Sequence, residues 1–414
     1  MTRARQTTTT AALLLTAALV VPLGGAVSTA HAQVTPVGPE ELELDSADSG
    51  VAALELPVAL PTQVARRSAG ASAAQTLEAW DTEPFSQVAV TWRGEAGDVE
   101  VRTRGNGSWS GWQELEPLGD GPDGREQAAR QGSELLWVGH ADGVQLRVHG
   151  AAPDDLRLVL QQPERQAADD QSAAVASAHR ASATNVVTAA DNNAASNADT
   201  EQAAATKRTK IPVPGQLKKR KEWGPNNKWR NGKPTYNSSL NQVHIHHTAS
   251  SNDYAQADVP GIIRGMYRYH TKSLGWFDIG YNFLVDKYGG MWVGRSGGKG
   301  KLVRGAHTLG FNHNSTGIAV IGNFEEATPT KRVLRKIARI ASWKLDRHNA
   351  PKARGKVKVT STGSDHYRSG TTVRLPAIDG HRDTNQTACP GINLYNDLPV
   401  VRGIAQRRLD KFRS

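Results

Sequence analysis

The sequence predicts an α/β protein: a C-terminal mixed β-sheet flanked by helices, preceded by a small all-β, sandwich-like domain and a disordered linker. Residues 80–162 contain short alternating or β-branched runs separated by turn formers. Residues 163–210 are rich in Ala, Gln, Asn and Ser, and residues 211–414 mix strand and helix patterns. Regularly spaced short strands are typical of a sandwich, and strands mixed with helices are typical of an α/β layer structure.

The first residues have the pattern of an export signal. A basic start is followed by an apolar stretch and then by Ala30-His-Ala32, which is typical of a secretory signal peptide. We therefore assign residues 1–32 to a signal peptide and expect a secreted protein. The apolar stretch is short for the roughly 20 residues of a membrane-spanning helix, so stable membrane insertion is not expected.

The accessory region is divided by composition. Residues 33–79 form a low-complexity segment that we expect to be largely extended or disordered. Residues 80–162 form the β-rich accessory domain, with strands predicted at 88–92, 99–104, 135–138, 144–148 and 156–160. Its Trp109 and Trp112 are interpreted as either a sugar-binding platform or a cap on a small β core. Residues 163–210 have the composition of a flexible linker.

Residues 211–414 are predicted to form the second domain. Its predicted strands are 243–246, 281–286, 291–293 and 317–322. One helix should begin at Asp258, with Pro260 in its first turn, and another should be capped at its start by Thr328-Pro329. A last helix should run from about Leu398.

Charge is unevenly distributed along the chain. Residues 216–414 carry 34 Lys and Arg against 13 Asp and Glu, a net charge of +21, whereas the remainder carries 16 against 27. A basic block favours a polyanionic partner, which can be nucleic acid, anionic lipid headgroups or a bacterial wall polymer. A merely solvated surface is the alternative interpretation.

Cys389 is the single cysteine of the chain and follows His381 by eight positions in the stretch GHRDTNQTACPG. It cannot form an internal disulfide, so it is a core residue, an intermolecular link, a nucleophile or a metal ligand. Zinc takes neutral imidazole and thiolate, and a hydrolytic zinc site uses three protein ligands and one open water position. The run from His244 to His247 is a source of a third ligand, but only the combination is informative.

A series of motifs follows in a defined order. They are Lys221-Glu-Trp-Gly224, His246-His-Thr-Ala249, Gly280-Tyr-Asn-Phe283, Gly305-Ala-His307, Asn314-Ser-Thr-Gly-Ile318, Ile321-Gly-Asn-Phe324, Gly380-His-Arg-Asp383 and Ala388-Cys-Pro-Gly391. Together they resemble the peptidoglycan recognition protein and zinc N-acetylmuramoyl-L-alanine amidase family, which includes the T7-type lysozyme. The resemblance covers roughly residues 211–410, and the N-terminal arrangement more loosely resembles secreted actinobacterial members.

The resemblance implies a site with Zn²⁺ as its cofactor. Carried over residue by residue, it implies zinc ligation by His246, His381 and Cys389, catalysis by Tyr281 and Thr387, and substrate binding by His307. His247 is expected to be buried or to support a ligand, and His244 is not expected to take part. The basic insertion at residues 350–378 does not align with the family pattern.

The function implied by the resemblance is zinc-dependent hydrolysis of the amide bond between N-acetylmuramic acid and L-alanine in bacterial peptidoglycan. A non-catalytic peptidoglycan-binding receptor and a zinc peptidase that cuts stem peptides are the alternatives. Family receptors commonly lack the cysteine, so the presence of Cys389 favours the enzyme. The expected partners are peptidoglycan and anionic wall polymers, not nucleic acid, and we expect a wall-associated monomer.

Overall fold

The computed structural model describes residues 42–46, 50–59, 74–95, 97–124, 126–150, 153–167, 169–170, 210–350 and 352–413. The predicted signal peptide and most of the predicted linker lie outside these residues. Within the described ranges, none of the helices has the length and apolar character needed to cross a membrane.

An antiparallel sheet forms the N-terminal domain, as the all-β prediction requires. Its strands are β1 Val51–Pro57, β2 Gln75–Thr76, β3 Trp80–Arg93, β4 Asp98–Gly105, β5 Ser108–Trp109, β6 Gln113–Glu114, β7 Gln131–Gly132, β8 Leu136–His149 and β9 Asp154–Pro163. The order is β1-β9-β3-β8-β4-β5, with β2 paired to β8, β6 to β4 and β7 to β3.

The two faces of this sheet bury their side chains in different cores. Side chains alternate between faces along a strand, so Val88, Val90 and Leu158 enter the sheet's own core. Ala89 and Val159, one position away, point to the opposite face and enter a core that includes residues of the C-terminal domain. The domains are therefore joined through an apolar face of the sheet.

Two predictions for the N-terminal part are wrong. β1 pairs along its whole length with β9, so residues 51–57 are part of the sheet and not of a low-complexity, disordered segment. β8 continues through residues 141–143, where the sequence predicts a turn between two strands. Gly143 stays in register there, opposite Arg104 of β4, whose side chain lies over the glycine.

Trp109 and Trp112 stack on cations at the domain surface. The guanidinium of Arg102 lies 5.0 Å from the centre of the Trp109 ring and 4.8 Å from that of Trp112. Arg147 lies 4.1 Å from the Trp112 ring. Both tryptophans are half-buried and stay outside the core, so the core-capping interpretation is wrong and sugar binding by these rings stays a prediction.

A mixed sheet forms the centre of the C-terminal domain. The remaining strands are β10 Leu217–Lys218, β11 Gln242–His247, β12 Phe283–Val285, β13 Met291–Val293, β14 Ser315–Val320, β15 Lys356–Thr360, β16 Thr372–Pro376 and β17 Ile378–Gly380. The central order is β10-β13-β12-β14-β11-β17, in which only β12 and β13 pair antiparallel. β15 and β16 form a separate hairpin within the basic insertion at 350–378.

Helices cover both faces of this sheet. They are α1 Val259–Arg268, α2 Lys331–Arg347, α3 Ile392–Asn396 and α4 Leu398–Arg413. The core on one face combines α2 and α4 with Val243 and Ile245 of β11, whereas α1 contributes to the core on the other face. α1 has its proline in the first turn, as predicted. The N-cap of α2 is Thr330, whose hydroxyl accepts from Val333 N, two residues beyond the predicted start.

α1 also contacts the N-terminal sheet closely. Its residues Ile262, Ile263 and Met266 share a core with β-strand residues of the N-terminal domain. A side chain at Gly265 would place its Cβ 1.7 Å from Oε1 of Gln87, so the buried Gln87 side chain would have to move to accept any other residue there. The hydroxyl of Tyr269, after α1, contacts the carbonyl oxygens of Val90 and Ser133 at 3.2 and 2.9 Å.

The first residues of the predicted linker are anchored. Arg264 of α1 donates to both carboxylate oxygens of Asp169, at 3.0 and 2.7 Å, and to the carbonyl oxygen of Glu164. The side chains of this ion pair are 1% and 2% exposed. The prediction that the flexible linker begins at residue 163 is therefore wrong for the described residues up to 170.

Candidate metal centre

Two neighbouring parallel strands place the candidate ligands His246 and His381 together. Ile245 of β11 is in register with Gly380 of β17. The residues that follow them, His246 and His381, therefore lie at the same edge of the sheet. Alternation directs Val243 and Ile245 into one core and His246 to the other face. The ring centroids of His246 and His381 are 4.7 Å apart.

Cys389 joins these histidines from the loop after β17. Its Sγ lies 3.7 Å from His246 Nδ1, and one ligand atom from each of His246, His381 and Cys389 lies within 4.8 Å of the others. All three residues are buried. Among the described residues, this is the one cluster of three such side chains that can hold a metal ion. The structure therefore brings together the three predicted ligands.

Burial sets the protonation of these groups. It lowers the pKa of His246 well below its usual range and that of His381 to about 3, so both imidazoles are neutral and can act as ligands. Burial, followed by the charges of Asp120 and Glu134, raises the pKa of the Cys389 thiol. A thiolate here needs a nearby cation, which fits a donor set of two imidazoles and one thiolate for zinc.

His307 contacts His246 from the side away from Cys389. Its Nδ1 is 3.2 Å from His246 Nε2, which leaves His246 Nδ1 directed at Cys389. The His307 ring is fully buried, and it fits because position 317 is glycine: a Cβ there would lie 2.5 Å from the ring. His307 therefore orients His246, and its predicted contact with substrate stays a prediction.

The other two histidines have structural contacts. The backbone N of His247 donates to Cys389 Sγ at 3.4 Å, and its Nδ1 accepts from Phe324 N. His247 is thus a buried residue that supports a ligand, as predicted. Nδ1 of His244 lies 2.7 Å from Oδ1 of Asp379, and both side chains are fully buried.

Tyr281 and Thr387 lie beside the three ligands. The Tyr281 ring centroid is 5.3 Å from that of His246. Burial, then the neighbouring acids Asp120 and Glu134, raises the Tyr281 pKa well above its usual range, so its hydroxyl remains a proton donor. The Thr387 hydroxyl oxygen accepts from Cys389 N at 3.1 Å, which leaves its O–H group able to donate elsewhere.

Asp120 is a residue of this site that the sequence does not predict. It belongs to the N-terminal domain, and its Oδ1 lies 3.6 Å from His246 Nδ1 and 3.5 Å from His381 Nε2. Its side chain is 2% exposed, and its charge adds to burial in raising the pKa of Tyr281. The stretch Leu118-Gly-Asp-Gly121 has no recognisable motif, so only the tertiary structure identifies it.

A mixed sheet with a buried His, His and Cys cluster at the ends of its parallel strands defines a class of α/β protein with a site that could hold a metal ion. Residues 236–392 match the family described as N-acetylmuramoyl-L-alanine amidase. Residues 45–182 match the family described as Rv3811 N-terminal galactose-binding domain-like, which places β1 with the N-terminal domain.

Individual proteins are also similar to this chain. The chain is 33% identical to peptidoglycan-recognition protein SC2 of Drosophila simulans over 177 residues, which cover 43% of this chain and 81% of that protein. It is 32% identical to an N-acetylmuramoyl-L-alanine amidase of Homo sapiens over 163 residues, 38% of this chain and 24% of that protein. The solved structure of Drosophila PGRP-LB is 24% identical, with a TM-score of 0.35, covering 44% of this chain and 91% of that one.

The chain therefore belongs to the family of peptidoglycan-recognition proteins and N-acetylmuramoyl-L-alanine amidases. This membership supports peptidoglycan amide hydrolysis or peptidoglycan binding as its function.

Proposed function

We propose that the protein is a zinc-dependent N-acetylmuramoyl-L-alanine amidase, which hydrolyses the amide bond between N-acetylmuramic acid and L-alanine in bacterial peptidoglycan. The observation that carries this proposal is the buried cluster of His246, His381 and Cys389, with ligand atoms within 4.8 Å of one another. A protein that only binds peptidoglycan has no need of a buried thiol held beside two neutral imidazoles. Family membership supports the substrate class.

The residues of the site have complementary tasks. His307 holds His246 through the 3.2 Å contact, and His247 N holds the sulfur of Cys389. Zinc, when bound, would polarise the amide carbonyl and activate the attacking water. The Tyr281 hydroxyl donates a hydrogen bond to the oxyanion that develops on the carbonyl oxygen, and the free O–H of Thr387 is a second donor.

The signal pattern of residues 1–32 and the basic C-terminal domain support a site of action outside the cell, at the wall. Residues 216–414 carry a net charge of +21, which attracts phosphate- and carboxylate-rich wall polymers. We propose that the protein is secreted and associates with the wall through this charge.

The test is digestion of purified peptidoglycan by the full-length protein, with and without a zinc chelator, followed by mass analysis of the fragments. We expect free lactyl carboxyl groups on muramic acid and new amino termini on L-alanine, and we expect the chelator to stop their release. New termini within the stem peptide would identify a peptidase instead. Binding of peptidoglycan without any release of fragments, in zinc-loaded protein and in the Asp120 variants described below, would identify a receptor.

A further inference from the structure

A segment of the N-terminal domain lies over the candidate metal centre. This covering segment comprises residues 118–124 and 126–129. A Cβ at Gly119 would be 3.1 Å from Cε1 of His381 and 3.7 Å from Cβ of Thr387, so the backbone of the segment directly covers two of the site residues. Asp120, the next residue, points its carboxylate at the ligands.

Contacts along the whole segment hold it in this place. The carbonyl oxygen of Gly121 accepts from Asn312 Nδ2 at 2.8 Å, and Oδ1 of Asp123 lies 3.6 Å from Arg304. Glu126 forms an ion pair with the buried Arg295, and its carboxylate accepts a hydrogen bond from Phe277 N at 2.9 Å. Ala129 N donates to the carbonyl oxygen of Leu274 at 2.8 Å. The partners on the C-terminal domain are Leu274, Phe277, Arg295, Arg304 and Asn312.

The carboxylate of Asp120 lies at the distance of a fellow ligand from both candidate imidazoles. Tetrahedral zinc with bonds of about 2.0–2.3 Å separates its ligand atoms by about 3.3–3.7 Å. Asp120 Oδ1 lies 3.6 Å from His246 Nδ1 and 3.5 Å from His381 Nε2. The sulfur of Cys389 lies 3.7 Å from the same nitrogen of His246.

Two of these atoms have no hydrogen-bond partner among the described residues. Within the described part of the chain, neither Asp120 Oδ1 nor His381 Nε2 takes part in a hydrogen bond, although both are buried. A buried carboxylate oxygen without a partner is costly, and a shared cation removes that cost. The charge of Asp120 also helps to raise the pKa of Tyr281, whose hydroxyl is our proposed donor to the substrate oxyanion.

We propose that Asp120 is a fourth protein ligand of the zinc site and that the covering segment thereby holds the protein in a latent state. The inference rests on the proposed function. A hydrolytic zinc site needs one position for water, and Asp120 occupies that position. Substrate can enter only after the segment has moved away, so the closed state competes with substrate for this position at the metal.

The experiment compares full-length wild type with Asp120→Asn and Asp120→Ala. Asp142→Asn is the matched control, because Asp142 belongs to the same domain but pairs with Arg104 at the surface, where its side chain is 41% exposed. Metal content is measured first. Each protein is then loaded with Co²⁺ for absorption spectra and with Zn²⁺ for X-ray absorption at the zinc edge.

We expect one metal ion per chain in all four proteins, with the spectrum changed in both Asp120 variants and unchanged in Asp142→Asn. We also expect both Asp120 variants, at saturating zinc, to hydrolyse a soluble muramyl tripeptide roughly ten-fold faster or more, the gain when a closed state of about 90% is released.

Three results would overturn or separate the proposals. Wild-type protein that binds no zinc contradicts the proposed function itself. If wild-type protein binds zinc but its spectrum is the same as that of the Asp120 variants, the proposal that Asp120 is a fourth ligand is overturned and the proposed function is not. Hydrolysis that falls in both Asp120 variants, with metal content retained, overturns latency and makes Asp120 a group that assists the reaction.

Discussion

His307 and His246 contact each other through Nδ1 and Nε2, 3.2 Å apart, with both rings fully buried. The contact uses the nitrogen of His246 that does not face Cys389. Partners of this kind fix the tautomer and orientation of a metal-binding histidine. His307 is therefore a positioning residue of the proposed zinc site.

Replacement of His307 tests this role. His307→Leu should lower zinc affinity by roughly 10–100-fold, the usual effect of removing a group that orients a ligand, and His307→Gln should recover part of the loss because its amide can still hydrogen-bond. Competition with a fluorescent chelator measures the affinity. Equal zinc affinity in wild type and both variants would leave His307 with a packing role alone.

Loss of the thiolate should have a larger effect. Cys389→Ser should lower zinc affinity more than about 100-fold, since even changes in supporting residues cost 10–100-fold, and it should abolish hydrolysis while the domain stays folded. Metal analysis and circular dichroism of the purified variant measure the two properties. A folded variant that retains near-normal hydrolysis without zinc would contradict the metal-dependent mechanism.

Tyr281→Phe separates catalysis from metal binding. The variant keeps the ring beside His246 but loses the hydroxyl, so we expect unchanged zinc content and turnover slower by roughly 10²–10³-fold, the scale for the loss of one oxyanion donor. Zinc content and the rate of muramyl tripeptide hydrolysis are measured on the same preparation. If the rate does not change, Tyr281 serves only to pack the site.

The buried ion pair between Arg264 and Asp169 should contribute strongly to stability. Arg264→Met leaves the carboxylate of Asp169, 2% exposed, without its charged partner, which typically costs about 3–5 kcal/mol. The free energy of unfolding in urea measures this loss.

The neighbouring pair of Arg165 and Asp170 supplies the control. It has a similar N–O distance of 2.7 Å, but its side chains are 60% and 64% exposed. Exposed pairs contribute about 0–1 kcal/mol, so Arg165→Met should change stability little. Equal losses in the two variants would show that burial does not govern these pairs.

The candidate ligand cluster was predictable because its residues lie in short motifs that resemble those of a known family. The strand pattern of residues 243–246 and the stretch after residue 378 suffice to place His246 and His381 side by side once β11 and β17 pair in parallel. A short loop after β17 is then enough to bring Cys389 next to these two histidines.

The contribution of the N-terminal domain was not predictable in the same way. Asp120 reaches the site only because the apolar face of the N-terminal sheet, which includes Ala89 and Val159, packs on α1. Nothing in a local pattern specifies which of two buried faces meets another domain. β1 was missed for a similar reason, since its pairing with β9 joins segments distant in sequence.

The core shared by the two domains also limits the ways in which the proposed attraction of the basic domain to the wall can be tested. Removal of residues 1–210 would expose Ile262, Ile263 and Met266 of α1, so a truncated protein would mix a loss of charge with a loss of packing. Charge is better changed at the surface of the full-length protein. Lys331, Arg335 and Arg339 are exposed along one face of α2, away from the metal centre on the other side of the sheet.

Substitution of these three residues by glutamine should weaken sedimentation with purified cell walls at low salt and reduce the dependence of binding on salt. Exposed charges are screened beyond about 8 Å at physiological ionic strength, so wild-type binding should itself fall as salt rises. The control is Glu78→Gln with Glu95→Gln, which removes exposed charge of the opposite sign from the N-terminal domain. That variant should bind walls at least as well as wild type, because the acidic domain opposes the attraction of a basic domain to an anionic polymer. Binding that is indifferent to salt and to both sets of substitutions would locate wall recognition in specific contacts instead of charge.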